Sequence, residues 1–139
     1  FDEEGSVNVS RLGGVTVGPG GFIDIAQNAK KVVFCGTLAA KGVKLQTGDG
    51  QMRVLQQGAV KKLVKQVDQI TFSGPQGLVR HQEVLYLTER ASFRLTGQGI
   101  EVFEIAPGID LQRDVLDQMD FKPLLAKDLK VMDSTHFKA

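Results

Sequence analysis

The residues most able to do chemistry in this sequence are a glycine loop, Gly18-Pro19-Gly20-Gly21, and a few isolated polar side chains. Glycine admits positive φ and exposes backbone N–H groups that can point at an anion or at a developing negative charge. The loop lies between apolar stretches and feeds a short helical pattern, whose N-terminal end would reinforce that effect. It matches neither familiar phosphate fingerprint: the third glycine of G-x-G-x-x-G is replaced by Ile23, and no Gly-Lys-Ser/Thr follows. On spacing alone a structural tight turn and a ligand-contacting loop both stay open.

The other polar candidates are weaker. Lys41, in TLAAKG, follows an apolar run, where the carboxyl ends of α/β strands gather ligand contacts, so it suits either a phosphate or plain solvation. Lys61, Lys62 and Lys65 read as one wet face, without the interleaved aromatics of a nucleic-acid groove. His81 and His136 lie far apart with no second ligand at helical or turn spacing, which disfavours zinc. Cys35, inside VVFCG, reads as a buried thiol with no His or Asp at a motif spacing. Glu89 and Arg90 read as a structural ion pair at a strand end, and Asp2, Glu3 and Glu4 as a solvated turn. No serine sits in a G-x-S-x-G elbow.

The elements that must position these residues follow from periodicity. SVNVS at 6–10 alternates as a strand does, after the turn-like DEEG. FIDIAQNA at 22–29 spaces Phe22, Ile25, Ala26 and Ala29 by three and four, predicting a short helix with one apolar face and Asp24 near its start. VVFCGTL predicts a strand buried on both faces. Two hairpins are expected, VKLQTGDGQMRVLQ around GDG and ASFRLTGQGIEVFEI around TGQG, with VLYLT at 84–88 a further strand. Together they imply a substantial, partly antiparallel sheet.

Residues 59–72 fit a helical stripe through Val60, Leu63, Val64 and Val67 and a strand at VDQITF equally. In PGIDLQRDVLDQM, Asp110 is an N-cap and Leu111, Val115 and Met119 recur at fours, predicting an amphipathic helix over 110–119. The tail from Pro123 carries no strong signal. The fold class expected is α/β, a mixed sheet with covering helices at 22–29 and 110–119 and the glycine loop at one sheet end.

The 139 residues fit one ordinary domain able to bury a core without metal or disulfide. A formal net charge of +1 argues against a dedicated nucleic-acid or anionic-membrane surface. The single cysteine excludes an internal disulfide and points to a reducing compartment, the cytoplasm. No stretch approaches the roughly 18 apolar residues that span a bilayer, and the N-terminus lacks the basic and apolar regions of a signal peptide. Beginning at Phe1 and running straight into a strand-like segment, the chain reads as a piece of something longer.

Several segments in collinear order resemble the class I coenzyme A transferases in their C-terminal, β-subunit-like half: DEEGSVNVS, GPGGFIDIAQNAKKVVFCGTLAAKG, VDQITFSG and LYLTERASFRLTGQGIEVFEIAPGIDLQRDVLDQMDF. Within the family they look most like the short-chain acyl-CoA:acetate or propionate type, including the 3-oxoacid transferases. The resemblance implies that coenzyme A is a substrate, that Gly18, Gly20 and Gly21 line the thioester site with Gly21 touching it, and that Lys41 reaches the CoA portion. It implies a glutamate nucleophile in a Glu-x-Gly-like segment upstream of the matched region. This chain has no such segment, and Glu4 before Gly5 corresponds to the family's turn ahead of the VNV strand. Residues 1–139 are accordingly expected to be a single domain, the C-terminal fragment of a CoA-transferase, inactive alone, completed by an N-terminal half or α-like subunit and homo-oligomeric, with no metal. The alternatives are a CoA hydrolase on the same fold and a non-catalytic binding module in which the loop merely packs.

Overall fold

The computed structural model describes residues 1–138. In chain order it contains β1 (Arg11–Leu12), β2 (Val15–Thr16), α1 (Phe22–Asn28), β3 (Lys31–Cys35), β4 (Ala39–Ala40), β5 (Lys44–Gly48), β6 (Gln51–Gln56), β7 (Val60–Lys61), α2 (Gly74–Val79), β8 (Glu83–Leu87), β9 (Ala91–Thr96), β10 (Gly99–Ile105) and β11 (Leu124–Val131). A π-helical turn, Leu111–Val115, and a 3₁₀ turn, Leu116–Gln118, precede β11. The principal sheet has the order β11-β10-β9-β8-β3. Its inner pairs, β8 with β9 and β9 with β10, are antiparallel, while β3 joins β8 and β11 joins β10 in parallel. The class is thus α/β with a mixed sheet, as expected.

One face of the sheet is the core. Val84, Tyr86, Phe93, Ile100 and Val102 alternate inward and meet Phe72 and Leu63 from the intervening chain. Both helices lie on this face. Phe22 of α1 packs on Phe34 of β3 at 5.8 Å between ring centroids, and α2 sits close enough that a methyl at Gly77 would touch Val84. The helices are tied together by side chains: Gln27 accepts from Ser73 N–H at 3.0 Å, and Arg80 Nη1 donates to the Gln27 carbonyl at 2.7 Å.

Several expectations change. Residues 6–10 form no strand; Val7 makes an isolated bridge to Phe72. The acidic run is not a solvated turn throughout, because Asp2 is buried and accepts N–H groups from Glu4, Ser6 and Val67. Helix α1 buries Ala26 and half-buries Phe22 but leaves Ile25 73% exposed, its seven residues being too short to seat a full apolar stripe. Strand β3 packs only the face of Val32 and Phe34 against the core, and Cys35 on its other face is exposed rather than buried.

The hairpin β5–β6 stands apart as its own two-stranded sheet. Residues 59–72 are neither helix nor long strand: β7 pairs briefly with β4, and Leu63 and Phe72 are anchored in the core by turns between them. Helix α2 and the eight-residue β11 were not anticipated. No helix among the described residues is long and apolar enough to cross a membrane.

The predicted helix over 110–119 starts where expected, with Asp110 Oδ1 accepting from Arg113 N–H at 2.7 Å, but it winds as a π turn and then a 3₁₀ turn. The wide turn lets the buried Asp114 carboxylate accept from Arg113 Nε at 2.9 Å, Arg113 Nη2 at 2.8 Å and Asp110 N–H at 3.0 Å. The Arg113 hydrogen bond, foremost, holds the Asp114 carboxyl below its ordinary value against the opposing effect of burial. A carboxyl depressed in the folded state stabilises the fold above its unfolded pKa, and that stabilisation is lost as the pH falls below about 4 toward the folded value. Asp114→Asn is therefore expected to flatten the acid limb of a urea-unfolding stability profile below about pH 4 relative to the parent. An unchanged slope there would contradict this assignment.

Candidate active-site cleft

Parallel strands β3 and β8 end side by side at Cys35 and Leu87, and Gly36 N–H extends the pairing by donating to the Leu87 carbonyl at 3.0 Å. Beyond these ends the chain turns twice, through Gly36–Leu38 and through Thr88–Arg90. Between the turns opens a cleft of about 400 Å³, walled by Phe22, Phe34, Tyr86 and Leu63 and edged by Thr37 and Lys62. Its position beyond the carboxyl ends of adjacent parallel strands is where α/β sheets gather ligands.

The polar groups around it are held from behind. Glu89 Oε2 accepts from Leu38 N–H at 2.8 Å, fixing the first turn, and Glu89 Oε1 accepts from Arg90 Nε at 3.0 Å. Arg90 is fully buried; its Nη1 donates to Gln57 Oε1 at 2.6 Å and to the Asp114 carbonyl at 3.1 Å. The Glu89–Arg90 pair is structural, as the sequence suggested, although nothing in its spacing foretold complete burial of the arginine. On the cleft side, Thr37 Oγ1 donates to the Ala39 carbonyl and accepts from Lys62 Nζ at 3.3 Å. Tyr86, a wall residue, donates its hydroxyl to the Gly5 carbonyl, and burial pushes its phenol well up, so it is a neutral donor.

The glycine loop adjoins the cleft through Phe22, and Gly18, Gly20 and Gly21 do not themselves line it. It leaves the β1–β2 ribbon at Val17, whose N–H donates to the Ser10 carbonyl at 2.8 Å, and ends at Phe22 in the cleft wall. Gly20 has φ +57°, a conformation that favours glycine. Methyl groups built at Gly18 or Gly20 would meet nothing within 4 Å, and one at Gly21 would meet only Ile25 at 3.5 Å. All three are exposed, and among the described residues no acceptor faces their N–H groups. The space above GPGG is thus open, and the N–H groups are unspent.

Lys41 is placed differently from the loop. It is exposed at φ +59°, its carbonyl accepts from Ala59 N–H, and it is not part of the cleft wall. The lysine that reaches the cleft is Lys62, assigned from the sequence to a solvated face. It could not be singled out among Lys61, Lys62 and Lys65 because the segment that carries them has no regular period. No cluster of His, Cys, Asp and Glu suited to a metal occurs among the described residues.

No family model matches the chain. Its likeness to known proteins is nonetheless close, and it is a homologue of the CoA-transferases, matched to one segment of them. Two curated relatives carry it: the acetate CoA-transferase YdiF of Escherichia coli O157:H7, 47% identical over 98% of this chain and 26% of its own length, and the caffeate CoA-transferase of Acetobacterium woodii, 50% identical over 98% and 27%. The crystal structure of the E. coli O157:H7 acyl-CoA transferase apoenzyme superposes with a TM-score of 0.96 over 98% of this chain and 26% of that one. A thioester complex of that transferase with CoA gives 0.95 over 98% and 27%. The chain spans about a quarter of the length of these relatives.

Proposed function

We propose that residues 1–139 are part of a CoA-transferase that moves CoA between short-chain acyl-CoA and carboxylic acids of the acetate, propionate and acetoacetate class. The observation that carries this reading is the open glycine loop, with unspent N–H groups, adjoining an apolar cleft beyond the parallel strand ends. In this chemistry a glutamate carboxylate attacks the thioester carbonyl, the C–S bond breaks, and an acyl-glutamyl anhydride and CoA thiolate form. The thiolate attacks the glutamyl carbonyl, releasing the first acid and leaving a glutamyl-CoA thioester, which a second carboxylate takes over by the same steps reversed. Each addition passes through a tetrahedral oxyanion, and one well-placed donor toward it is worth roughly 10²–10³ in kcat.

In this reading Gly20 and Gly21 supply such donors, Gly18 keeps the approach clear, and Lys41 meets CoA oxygens from outside the cleft. The nucleophilic glutamate lies outside 1–139, on an N-terminal half or α-like subunit. The chain is a C-terminal fragment, inactive alone, of a cytoplasmic homo-oligomeric enzyme. The E. coli relative named for acetate and the Acetobacterium relative named for caffeate support a carboxylic acid as the acceptor.

The test grafts residues 1–139 in place of the matching quarter of the E. coli O157:H7 transferase and follows exchange between acetyl-CoA and propionate. The graft is expected to turn over and the isolated chain not to. Gly21→Ala is the discriminating substitution, because at φ −78° with only Ile25 nearby it leaves the fold intact. Its methyl enters the space above the loop, so kcat of the graft is expected to fall about tenfold or more at unchanged melting temperature. Full activity of Gly21→Ala would show that no substrate group approaches the Gly21 Cα closely, alanine keeping the same N–H.

A further inference from the structure

Residues 38–42 run from a buried anchor to an exposed cation. Leu38 and Ala39 are buried, while Lys41 and Gly42 are consecutive residues with positive φ, +59° and +85°. Glycine takes that conformation readily, whereas a lysine is disfavoured in it. A side-chain-bearing residue persists there only where its surroundings fix it from several sides.

Three contacts fix this segment. Leu38 N–H donates to Glu89 Oε2 at 2.8 Å, Ala39 and Ala40 of β4 pair with Lys61 and Val60 of β7, and the Lys41 carbonyl accepts from Ala59 N–H at 2.9 Å. Gly58 lies against the same stretch, so closely that a methyl there would stand 2.5 Å from the Ala40 carbonyl oxygen and 2.9 Å from Ala39 Cβ. Residues 57–61 are thus the bed on which 38–41 lie.

One side chain ties that bed to the buried network. Gln57 Oε1 accepts from Arg90 Nη1 at 2.6 Å, and Gln57 Nε2 donates to Asp114 Oδ1 at 3.2 Å. An amide suits the place between a guanidinium and a carboxylate, because it accepts with its oxygen and donates with its nitrogen. Arg90 also donates through Nε to Glu89, the residue that holds Leu38 N–H. The same arginine therefore fixes the segment through Glu89 and its bed through Gln57, and all of these partners lie within residues 38–114.

We propose that Gln57 is a positioning residue for CoA binding: it anchors the 57–61 bed to Arg90 and so holds the Lys41 backbone in the left-handed conformation that presents its ammonium to CoA oxygens. This rests on the function proposed above, in which Lys41 makes that contact. Lysine is a flexible stem, so fixing the point and direction from which it leaves the chain removes ordering that binding would otherwise have to supply.

Titration calorimetry with CoA, on the graft into the E. coli transferase, tests this. Gln57→Leu is close in shape and removes both amide hydrogen bonds. It is expected to weaken CoA binding by about fivefold or more and to raise the KM for acetyl-CoA in parallel, with kcat and the KM for propionate held within about twofold. Lys41→Gln is expected to weaken CoA binding as well, and the double variant to bind no more weakly than the worse single one, because Gln57 acts through Lys41. In the isolated chain, Gln57→Leu is expected to speed amide exchange at Leu38 and Ala59 by at least about tenfold relative to β9 and β10. Gly58→Ala displaces the same segment without touching the buried charges, so it is expected to reproduce the pattern and serves if Gln57→Leu does not fold.

Unchanged CoA affinity in Gln57→Leu and Gly58→Ala overturns the proposal, as do losses from Gln57→Leu and Lys41→Gln that add in full. A fall in kcat at unchanged CoA affinity overturns it too, since a residue that aims Lys41 acts on binding. Turnover is scored separately. CoA binding that depends on Gln57, in a graft without exchange activity, keeps the positioning role and removes the transferase reading. Exchange activity with a CoA affinity indifferent to Gln57 does the reverse, and a graft that binds no CoA overturns both.

Discussion

Replacing Arg90 with alanine is expected to lower the stability of the fold by about 3–5 kcal/mol, the cost of breaking a buried charge network from one side. The guanidinium has no exposed surface and joins three parts of the chain that are distant in sequence: Glu89 at the β8–β9 turn, Gln57 after β6, and the carbonyl of Asp114 in the π turn. Its Nη2 has no partner among the described residues, so the arginine is already incompletely satisfied. Without it, the Gln57 side chain and the Asp114 carbonyl each lose a donor, and Glu89 loses the cation that balances it while it still holds Leu38 N–H.

Arg90→Lys restores a charge but cannot span the same acceptors, because an ammonium lacks the planar fork. It is expected to recover less than half of the loss. Urea unfolding with an unchanged m-value is the measurement, and a loss below about 1 kcal/mol for Arg90→Ala would show that the network contributes little. Because Glu89 positions Leu38, the same substitution in the graft is expected to disturb the cleft turn.

Gly74→Ala is expected to cost about 3 kcal/mol, at the upper end of overpacking effects. A methyl there would lie 2.1 Å from the Glu4 carbonyl oxygen and 2.7 Å from the Gly5 carbonyl carbon, both backbone atoms that cannot rotate away. The close approach exists because the first turn of α2 is pinned to the N-terminal segment, with Gly74 N–H donating to Ser6 Oγ at 3.1 Å and Ser73 capping the helix through Gln76 N–H. The expected fall in melting temperature is roughly 10 °C. Gly18→Ala, where a methyl meets nothing, is the matched control and is expected to leave the transition unmoved. A Gly74→Ala transition coincident with that of the parent would mean that the two segments can separate without loss.

What could be read from the sequence was local. The TGQG and GDG turns announced their hairpins because turn chemistry and flanking alternation agree within a few residues. Asp110 announced its helix start because the cap is made to a backbone N–H three residues on. Strand β11 was silent because LLAKDLKV is an edge strand, whose charges mask any period of two. Residues 6–10 misled for the opposite reason, alternating like a strand while Asn8 Oδ1 accepts from Ser10 and Arg11 N–H and so bends the chain into a turn.

The site divided the same way. The glycine loop was visible as composition, and the structure leaves the space above it open. The Glu89–Leu38 hydrogen bond and the approach of Lys62 to Thr37 join residues remote in sequence, and no pattern within one segment could have shown them. The family likeness supplied the chemical setting, and it did so through whole segments in order instead of through any single residue.

The mixed sheet also dictates an order of assembly. Strands β8, β9 and β10 form a continuous antiparallel meander whose turns close after only a few residues, so the loop entropy they must overcome is small. Strand β3 joins β8 in parallel only after all of residues 36–82 have been looped out, and β11 joins β10 only after the capped turn at 110–118 has folded back. Such non-local parallel closures are the slow steps of folding. Residues 83–105 should therefore be the nucleus, with φ-values high along the meander and low on β3. The strand that borders the cleft is then the last to be fixed, so the cleft itself is completed only late in folding.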